Sequence, residues 1–398
     1  MSPVRPTRRG VLVIAGAALS YLVGWAFGTR ELAALALALA LAVGLAFASV
    51  WSARRDPRSM SRRLPPRALA GRPLQASVVV EPPPRLVSVT LVECCRGLGD
   101  PSSLLRPVEQ RLEGAWRVER PARGRYQLEP ELVLEDVLGL VRTRVQLPSF
   151  GRVRVEPELV ELGAPRALAF AQRDGTRHAF ASNAGDGLAG VRDHEVGESL
   201  RRVHWRTTAR RGRLTVRELE DHPLEELHVL LDAAAQPSAG GARSPAFERA
   251  VQVAGSLALH AARCGIAVSF ESHGRHALRV AVASGTSAGL LDALCTVEAD
   301  GTLPLALQLA GISGSRICVV TSDLGPDVVE RLRGLRARRR GVAVVALDAG
   351  SWSGGAGALD APAAALARAG VAVVVVGRDD DIASRLAPLV ASGVARAG

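Results

Sequence analysis

The sequence contains no lysine, because all 50 of its basic residues are arginines. A Walker-type phosphate-binding loop requires a lysine, and an enzyme that uses pyridoxal phosphate requires a lysine amine for its Schiff base. Both kinds of site are therefore excluded. The abundance of Arg, Ala, Gly and Pro is typical of a GC-rich genome, so much of the formal net charge of +11 is compositional background.

Other signals for catalysis are also missing. The sequence has no G-x-S-x-G motif, and the segment HEVGE at residues 194–198 differs from H-E-x-x-H at its last position. The cysteines are odd in number and have no C-x-x-C spacing, which favours a reducing compartment over a disulfide frame or a zinc site; they are Cys94, Cys95, Cys264, Cys295 and Cys318. We therefore expect no catalytic residues, no cofactor and no enzymatic activity.

Two long hydrophobic runs stand near the start of the chain. Residues 11–27 and 32–51 carry no charge, and at 1.5 Å per helical residue each run can cross a hydrocarbon core of about 30 Å, the first only just. Four residues separate the runs, which is enough only for a tight turn. We predict a transmembrane helical hairpin within residues 1–60.

The charges that flank this hairpin predict its orientation. Arginines lie before the first run and after the second, whereas the turn holds only Arg30. By the positive-inside rule, both termini and the soluble domains are expected in the cytoplasm, with the protein in the cell membrane. The alternative is a cleaved signal peptide in which Arg8 and Arg9 form the charged amino-terminal region.

The soluble part of the chain changes character twice. Residues 68–160 alternate apolar and polar positions between turn signals, which predicts a β-sandwich of immunoglobulin-like architecture. Residues 223–398 alternate apolar runs with helical segments, which predicts a doubly wound, mostly parallel α/β sheet. The chain is thus expected to be multidomain, with residues 186–222 joining the two soluble domains through a helix and a strand.

The α/β half resembles a von Willebrand factor A domain. That resemblance implies a metal site with an Asp-x-Ser-x-Ser motif after the first strand, but residues 232–236 read DAAAQ and lack both hydroxyl ligands. Asp232 and Asp323 follow two of the predicted strands and form at most a degenerate site, since a divalent cation needs about six oxygen ligands. The alternative is that these side chains, and Asp348 after a third strand, cap helices or orient loops.

The most distinctive stretch of the sequence is RRVHWRTTARRGRLTVRELE at residues 201–220. Together with the residues before it, the stretch resembles the signature R-E-Y-x-P-G-D-x-x-R-x-I-H-W-x-x-S-A-R-x-x-x-L-x-V-[KR]-E of a bacterial membrane protein family, domain of unknown function 58. His194, Val196 and Glu198 depart from that pattern. The matching residues are Arg192, Gly197, Arg201, His204, Trp205, Ala209, Arg210, Leu214, Val216, Arg217 and Glu218.

The resemblance implies partners rather than a reaction. Members of this family are typically encoded beside a MoxR-type AAA+ ATPase, and often near a transglutaminase-like membrane protein. The leading interpretation is a membrane-anchored, non-enzymatic scaffold or adaptor that works with such an ATPase in the assembly or maturation of envelope or protein complexes, with His204 and Trp205 as the buried core of an inter-domain joint.

Two alternatives remain open. One is a ligand-binding domain that depends on a divalent cation at Asp232 and Asp323. The other is phosphate or nucleic-acid binding by the arginines of residues 201–217. The acidic run directly after this segment makes nucleic acid the less favoured partner, since arginine–carboxylate pairing would neutralise much of the charge.

Overall fold

A computed structural model describes the chain over residues 3–55, 58–82, 87–148, 151–163, 188–193, 205–219, 226–234, 243–282, 287–312, 314, 316–338, 340–353 and 359–390. The chain divides into two compact units, Met1–Glu158 and Leu159–Gly398. The first unit contains the hydrophobic helices and the first set of strands. The second contains the signature segment and the α/β sheet.

Two long helices form a hairpin at the start of the first unit. Helix α1 is Arg8–Phe27 and helix α2 is Arg30–Arg55. Thr7 accepts a hydrogen bond from the Gly10 amide and so caps α1. Both helices are long and apolar enough to cross a membrane, and they enclose the two hydrophobic runs of the sequence.

Short strands make up the rest of the first unit. Neighbouring strands in the order β1-β9-β8-β5-β6-β7-β4-β2 are hydrogen-bonded and antiparallel, while β10 pairs antiparallel with β8 and parallel with β3. The predicted change to strand-rich structure after the hairpin is therefore confirmed. The strands are β1 Arg5–Pro6, β2 Ser59–Arg63, β3 Arg67–Leu69, β4 Leu74–Glu81, β5 Val87–Cys94, β6 Ser102–Val108, β7 Arg111–Val118, β8 Gly124–Asp136, β9 Val141–Gln146 and β10 Gly151–Glu156.

The core of the first unit joins these strands to the end of α2. Along β8, buried side chains such as Leu128, Leu132 and Leu134 alternate with more exposed ones, as a strand with one covered face requires. Val50 and Ala53 of α2 are buried in the same apolar cluster. The last turns of α2 therefore pack on the strands and do not stand apart from them.

The second unit contains a six-stranded sheet within its described residues, in the order β15-β14-β13-β16-β17-β18. Its pairs are parallel except for β14–β15. A separate antiparallel pair, β11–β12, precedes it. The strands are β11 Leu188–Asp193, β12 Thr215–Leu219, β13 Glu226–Leu231, β14 Ala267–His273, β15 Ala277–Val282, β16 Arg316–Thr321, β17 Gly341–Leu347 and β18 Ala372–Val376.

Helices cover both faces of this sheet, so alternate residues of a strand enter different cores. Val229 and Leu231 pack with helices α4, α5 and α10, whereas Leu230 packs with α6, α7 and α9. The helices of the second unit are α3 Trp205–Arg211, α4 Pro245–Arg263, α5 Ala288–Thr296, α6 Leu305–Gly311, α7 Pro326–Ala337, α8 Gly350–Ser353, α9 Asp360–Arg368 and α10 Ile382–Val390. Covering on both faces explains why the strands read as nearly continuous apolar runs.

Candidate functional site

The signature segment forms an antiparallel strand pair with a short helix between the strands. Arg192 of β11 lies opposite Val216 of β12, and Val191 lies opposite Arg217. Helix α3 ends where the Gly212 amide donates to the Thr208 carbonyl oxygen at 2.9 Å. The strands thus bring Arg192 and Arg217, far apart in the signature, to neighbouring positions. Gly197, Arg201 and His204 lie outside the described residues.

Trp205 lies at the start of α3, and its residue surface is 65% exposed. The prediction that Trp205 is buried is therefore wrong. Residues four apart share a face of a helix, and Ala209 on the face of Trp205 is exposed as well, whereas Thr207 and Thr208 are half-buried.

Two other signature residues are also exposed. Arg210 and Leu214 lie at the surface, and Leu214 keeps 42% of its residue surface accessible. Together with Trp205 they give the described part of the signature two large apolar groups and one cation in contact with solvent. Such a combination is typical of protein-binding surfaces, which are enriched in tryptophan and arginine.

Asp232 and Asp323 meet at the carboxyl edge of the six-stranded sheet, where ligands bind in doubly wound folds. Asp232 follows β13, and its Oδ2 accepts a hydrogen bond of 2.7 Å from the Thr321 hydroxyl. Its Oδ1 accepts one of 3.0 Å from the Ala234 amide. Both carboxylate oxygens of Asp232 are therefore engaged by the protein itself.

Asp323 has a local role of the same kind. Its amide donates to the Thr321 hydroxyl oxygen at 2.9 Å, and its Oδ1 accepts from the Gly325 amide at 2.9 Å, just before α7 begins. The structure thus brings together the two aspartates that the sequence singled out. The sequence did not identify Thr321, which lies between them and is 1% exposed; its position two residues before Asp323 was the available signal.

Burial governs the protonation of Asp232. Desolvation raises the pKa of this carboxyl above its usual value, the hydrogen bonds from Thr321 and Ala234 oppose the rise, and the nearby charge of Asp323 adds to it. Within the described residues, no group of three or more His, Cys, Asp or Glu side chains is arranged to hold a metal ion. The Asp232–Thr321–Asp323 cluster is thus a hydrogen-bonded junction between two strand ends.

Asp348, at the end of β17, is held through its backbone, whereas Asp232 and Asp323 are held through their side chains as well. Its amide donates to the Val376 carbonyl oxygen, and its carbonyl oxygen accepts from the Ser351 hydroxyl at 2.7 Å. Ser351 in turn accepts from the Arg378 amide. These bonds connect β17 to β18, and they orient the loop that follows β17.

The cysteines are free thiols. Burial raises the pKa of Cys318 to about 12 and that of Cys95 to about 11. Because the thiolate is the nucleophilic form, these two side chains are unreactive at neutral pH. Their contribution lies in packing.

Comparison with known proteins gives a family for part of the chain. No curated protein matches the chain. An uncharacterised protein from Listeria monocytogenes EGD-e, solved as a crystal structure, is similar over 25% of this chain and 9% of its own, with 12% identity and a TM-score of 0.18. The family model described as "Protein of unknown function DUF58" matches residues 190–353, a range that includes most of the signature segment and the strands from β13 to β17.

Proposed function

We propose that this protein is a membrane-anchored, non-enzymatic scaffold whose DUF58 region binds a protein partner. The observation that carries the proposal is the 65% exposure of Trp205 within that region. A large aromatic ring loses favourable burial when it faces water, whereas in an interface tryptophan is among the residues that contribute most to binding. Trp205 is the centre of the proposed contact, with Leu214 and Arg210 beside it in sequence.

The hairpin of α1 and α2 supplies the anchor. Apolar side chains cover its outside, with Leu12, Leu37 and Trp25 each more than 70% exposed, which suits a lipid surround. Because the chain enters and leaves by the same end of the hairpin, both soluble units lie on one side of the membrane. The flanking arginines favour the cytoplasm as that side.

The finer fold assignments belong to this proposal. In the first unit the Tyr126 hydroxyl donates to the Ala122 carbonyl oxygen at 2.8 Å, which is similar to the tyrosine corner of immunoglobulin-like sandwiches. In the second unit, the six strands taken in chain order are arranged 3-2-1-4-5-6, the doubly wound order. Both observations support an immunoglobulin-like sandwich followed by a von Willebrand factor A-like domain.

The family resemblance supplies the class of partner. A MoxR-type AAA+ ATPase would provide nucleotide binding, for which this lysine-free chain has no Walker loop. A transglutaminase-like membrane protein is the second partner that the resemblance implies. The scaffold would hold the ATPase at the membrane during assembly or maturation of protein complexes.

The test is co-purification from membranes. The tagged full-length chain, its Trp205→Ala variant and a Leu307→Ala control are expressed with a MoxR-type AAA+ ATPase from the same organism. Leu307 lies on α6 of the same unit and is 56% exposed. We expect Trp205→Ala to reduce recovery of the ATPase at least tenfold and Leu307→Ala to leave it unchanged. Equal recovery with all three chains would contradict the proposal.

The geometry supports each of the two alternatives less well than it supports protein binding. A divalent cation at Asp232 would compete with the hydrogen bonds from Thr321 and Ala234 that already occupy both carboxylate oxygens. A phosphate site on the arginine-rich segment has the exposed side chains of Arg210 and Arg213 in its favour, but two exposed cations are common on any protein surface. Protein binding through Trp205 has the more specific support.

A further inference from the structure

An apolar pair lies exposed on the turn between β8 and β9. Val137 is 73% exposed and Leu138 is 60% exposed. They are neighbours in sequence, so they present a continuous apolar surface at the end of the strand pair. Neither side chain contributes to the core of the first unit.

The turn that carries this pair is tightly held. The buried carboxylate of Asp136 accepts hydrogen bonds from the amides of Leu138, Leu140 and Val141 at 2.9, 2.7 and 2.6 Å. Gly139 has a φ of +69°, which glycine adopts without strain. Val137 and Leu138 are thus displayed by a fixed turn.

The direction of the strands places this turn at the membrane end of the unit. β1 pairs antiparallel with β9, with Arg5 opposite Arg142 and Pro6 opposite Val141. Since β9 leads away from the turn, β1 leads towards it. The chain then passes from β1 through Thr7 directly into α1, so α1 leaves the strands at the end where the turn lies.

Direct contacts connect the turn with the start of α1. The Thr7 amide donates to the Leu140 carbonyl oxygen at 2.8 Å, and the Thr7 hydroxyl donates to the Gly139 carbonyl oxygen at 2.6 Å. Gly10 lies so close to the turn that a Cβ atom at this position would be 2.1 Å from the Leu140 carbonyl oxygen. The turn is therefore level with the first turn of α1.

The surroundings have the composition of a membrane interface. Arg8 and Arg9 at the start of α1 are exposed, and so is Arg142 on β9. The Arg55 guanidinium lies 3.5 Å from the centre of the Trp51 ring near the end of α2. Tryptophan and arginine are enriched where a membrane helix leaves the bilayer, and arginines there attract anionic headgroups.

We propose that Val137 and Leu138 insert into the interfacial layer of the bilayer beside α1, as a third contact of the first unit with lipid. The inference rests on the proposed anchoring by α1 and α2. The occupant of the apolar surface is lipid, because the turn is fixed to the base of the anchor at the level where headgroups meet acyl chains. The contact holds the strands of the first unit against the membrane surface.

Site-specific photocrosslinking tests this inference on the full-length chain. p-Benzoylphenylalanine is introduced singly at position 137, 138, 37 or 127, and each protein is reconstituted into vesicles of phosphatidylcholine and phosphatidylglycerol. Leu37, 71% exposed on α2, reports on the anchor. Gln127 is exposed on β8, ten residues before Val137, and lies up to about 33 Å from it at 3.3 Å per residue.

Lipid adducts are measured by mass spectrometry after illumination. We expect adducts from positions 37, 137 and 138, with yields at 137 and 138 at least fivefold above position 127. Adducts at 37 but only background yields at 137 and 138, or crosslinks from the turn to a second copy of the chain, would overturn the inference and leave the anchor intact. Background yield at all four positions would overturn the anchor as well.

Discussion

Arg62 and Glu93 form a bidentate ion pair in the first unit, with Nε–Oε1 and Nη2–Oε2 distances of 2.8 Å. Their side chains are 6% and 0% exposed. Desolvation raises the pKa of Glu93 above its usual value, and the adjacent Arg62 opposes that rise. The pair joins β2, the first strand after the hairpin, to β5 across strands that are not neighbours in the sheet order.

The Arg62→Met variant is expected to destabilise the protein by about 3–5 kcal/mol, because it leaves a buried carboxylate without its partner. The double variant Arg62→Met with Glu93→Gln removes the charge too and should recover a large part of the loss. Denaturant unfolding in detergent micelles measures both effects. A double variant no more stable than the single one would show that the ion pair is not the relevant interaction.

Replacing Trp205 with alanine is expected to change the free energy of unfolding by less than about 0.5 kcal/mol, as is usual for exposed positions. Trp116 provides the comparison, since it is 3% exposed within the core of the first unit. The Trp116→Ala variant should lose about 3–5 kcal/mol. Thermal melting of both variants checks this; a large loss for Trp205→Ala would indicate that another part of the chain covers the ring.

Gly10→Ala is expected to displace α1 from the turn after β8, because the new Cβ would lie 2.1 Å from the Leu140 carbonyl oxygen. We expect a loss of about 1–3 kcal/mol, the usual cost of overpacking. Gly16→Ala is the matched control, since no atom lies within 4 Å of a Cβ at that position of the same helix. Melting temperatures of the two variants in micelles should differ, and equal values would contradict the close contact.

The pH dependence of stability should contain a contribution from Asp232. Because the pKa of Asp232 is raised in the folded protein, the folded state binds more protons than the unfolded state between the ordinary and the raised pKa. The free energy of unfolding contributed by this group therefore falls as pH rises through that interval and is constant above it.

The Asp232→Asn variant removes this titration and should flatten the acid part of the stability profile, whereas Asp379→Asn, at a side chain that is 97% exposed, should not. The new amide can still accept from Ala234 and donate to Thr321, so the fold should be retained. Unfolding measured from pH 3 to 7 tests the expectation. Stabilisation by Mg²⁺ that disappears in Asp232→Asn would instead support the divalent-cation alternative.

The α/β unit shows which parts of the fold are readable from sequence. Most of its strands appeared as apolar runs because helices cover both faces, whereas β15 alternates exposed and half-buried residues up to its last position. Helix α6, Leu305–Gly311, was not predicted, because a helix of seven residues is too short to show a clear period. The antiparallel direction of β15 could have been predicted, since β14 ends at His273 and β15 begins at Ala277, which is too short a connection for a parallel pair.

The candidate site shows the limit of the same reasoning. Asp232 and Asp323 were found because each follows a strand, and parallel strands bring their carboxyl ends together. The burial of Trp205 was predicted from its place between two predicted domains, but the cover over a side chain at such a place depends on contacts distant in sequence. The close approach of Gly10 to Leu140 could not be predicted for the same reason.

The attachment of Thr7 to Gly139 also constrains the order in which the protein is made. These residues are 132 positions apart, and synthesis at about 5–20 residues per second needs on the order of 10 s to span that interval. The hairpin therefore leaves the ribosome before β9 exists to receive β1. β1 can therefore pair with β9 only when the last strands of the first unit have left the ribosome.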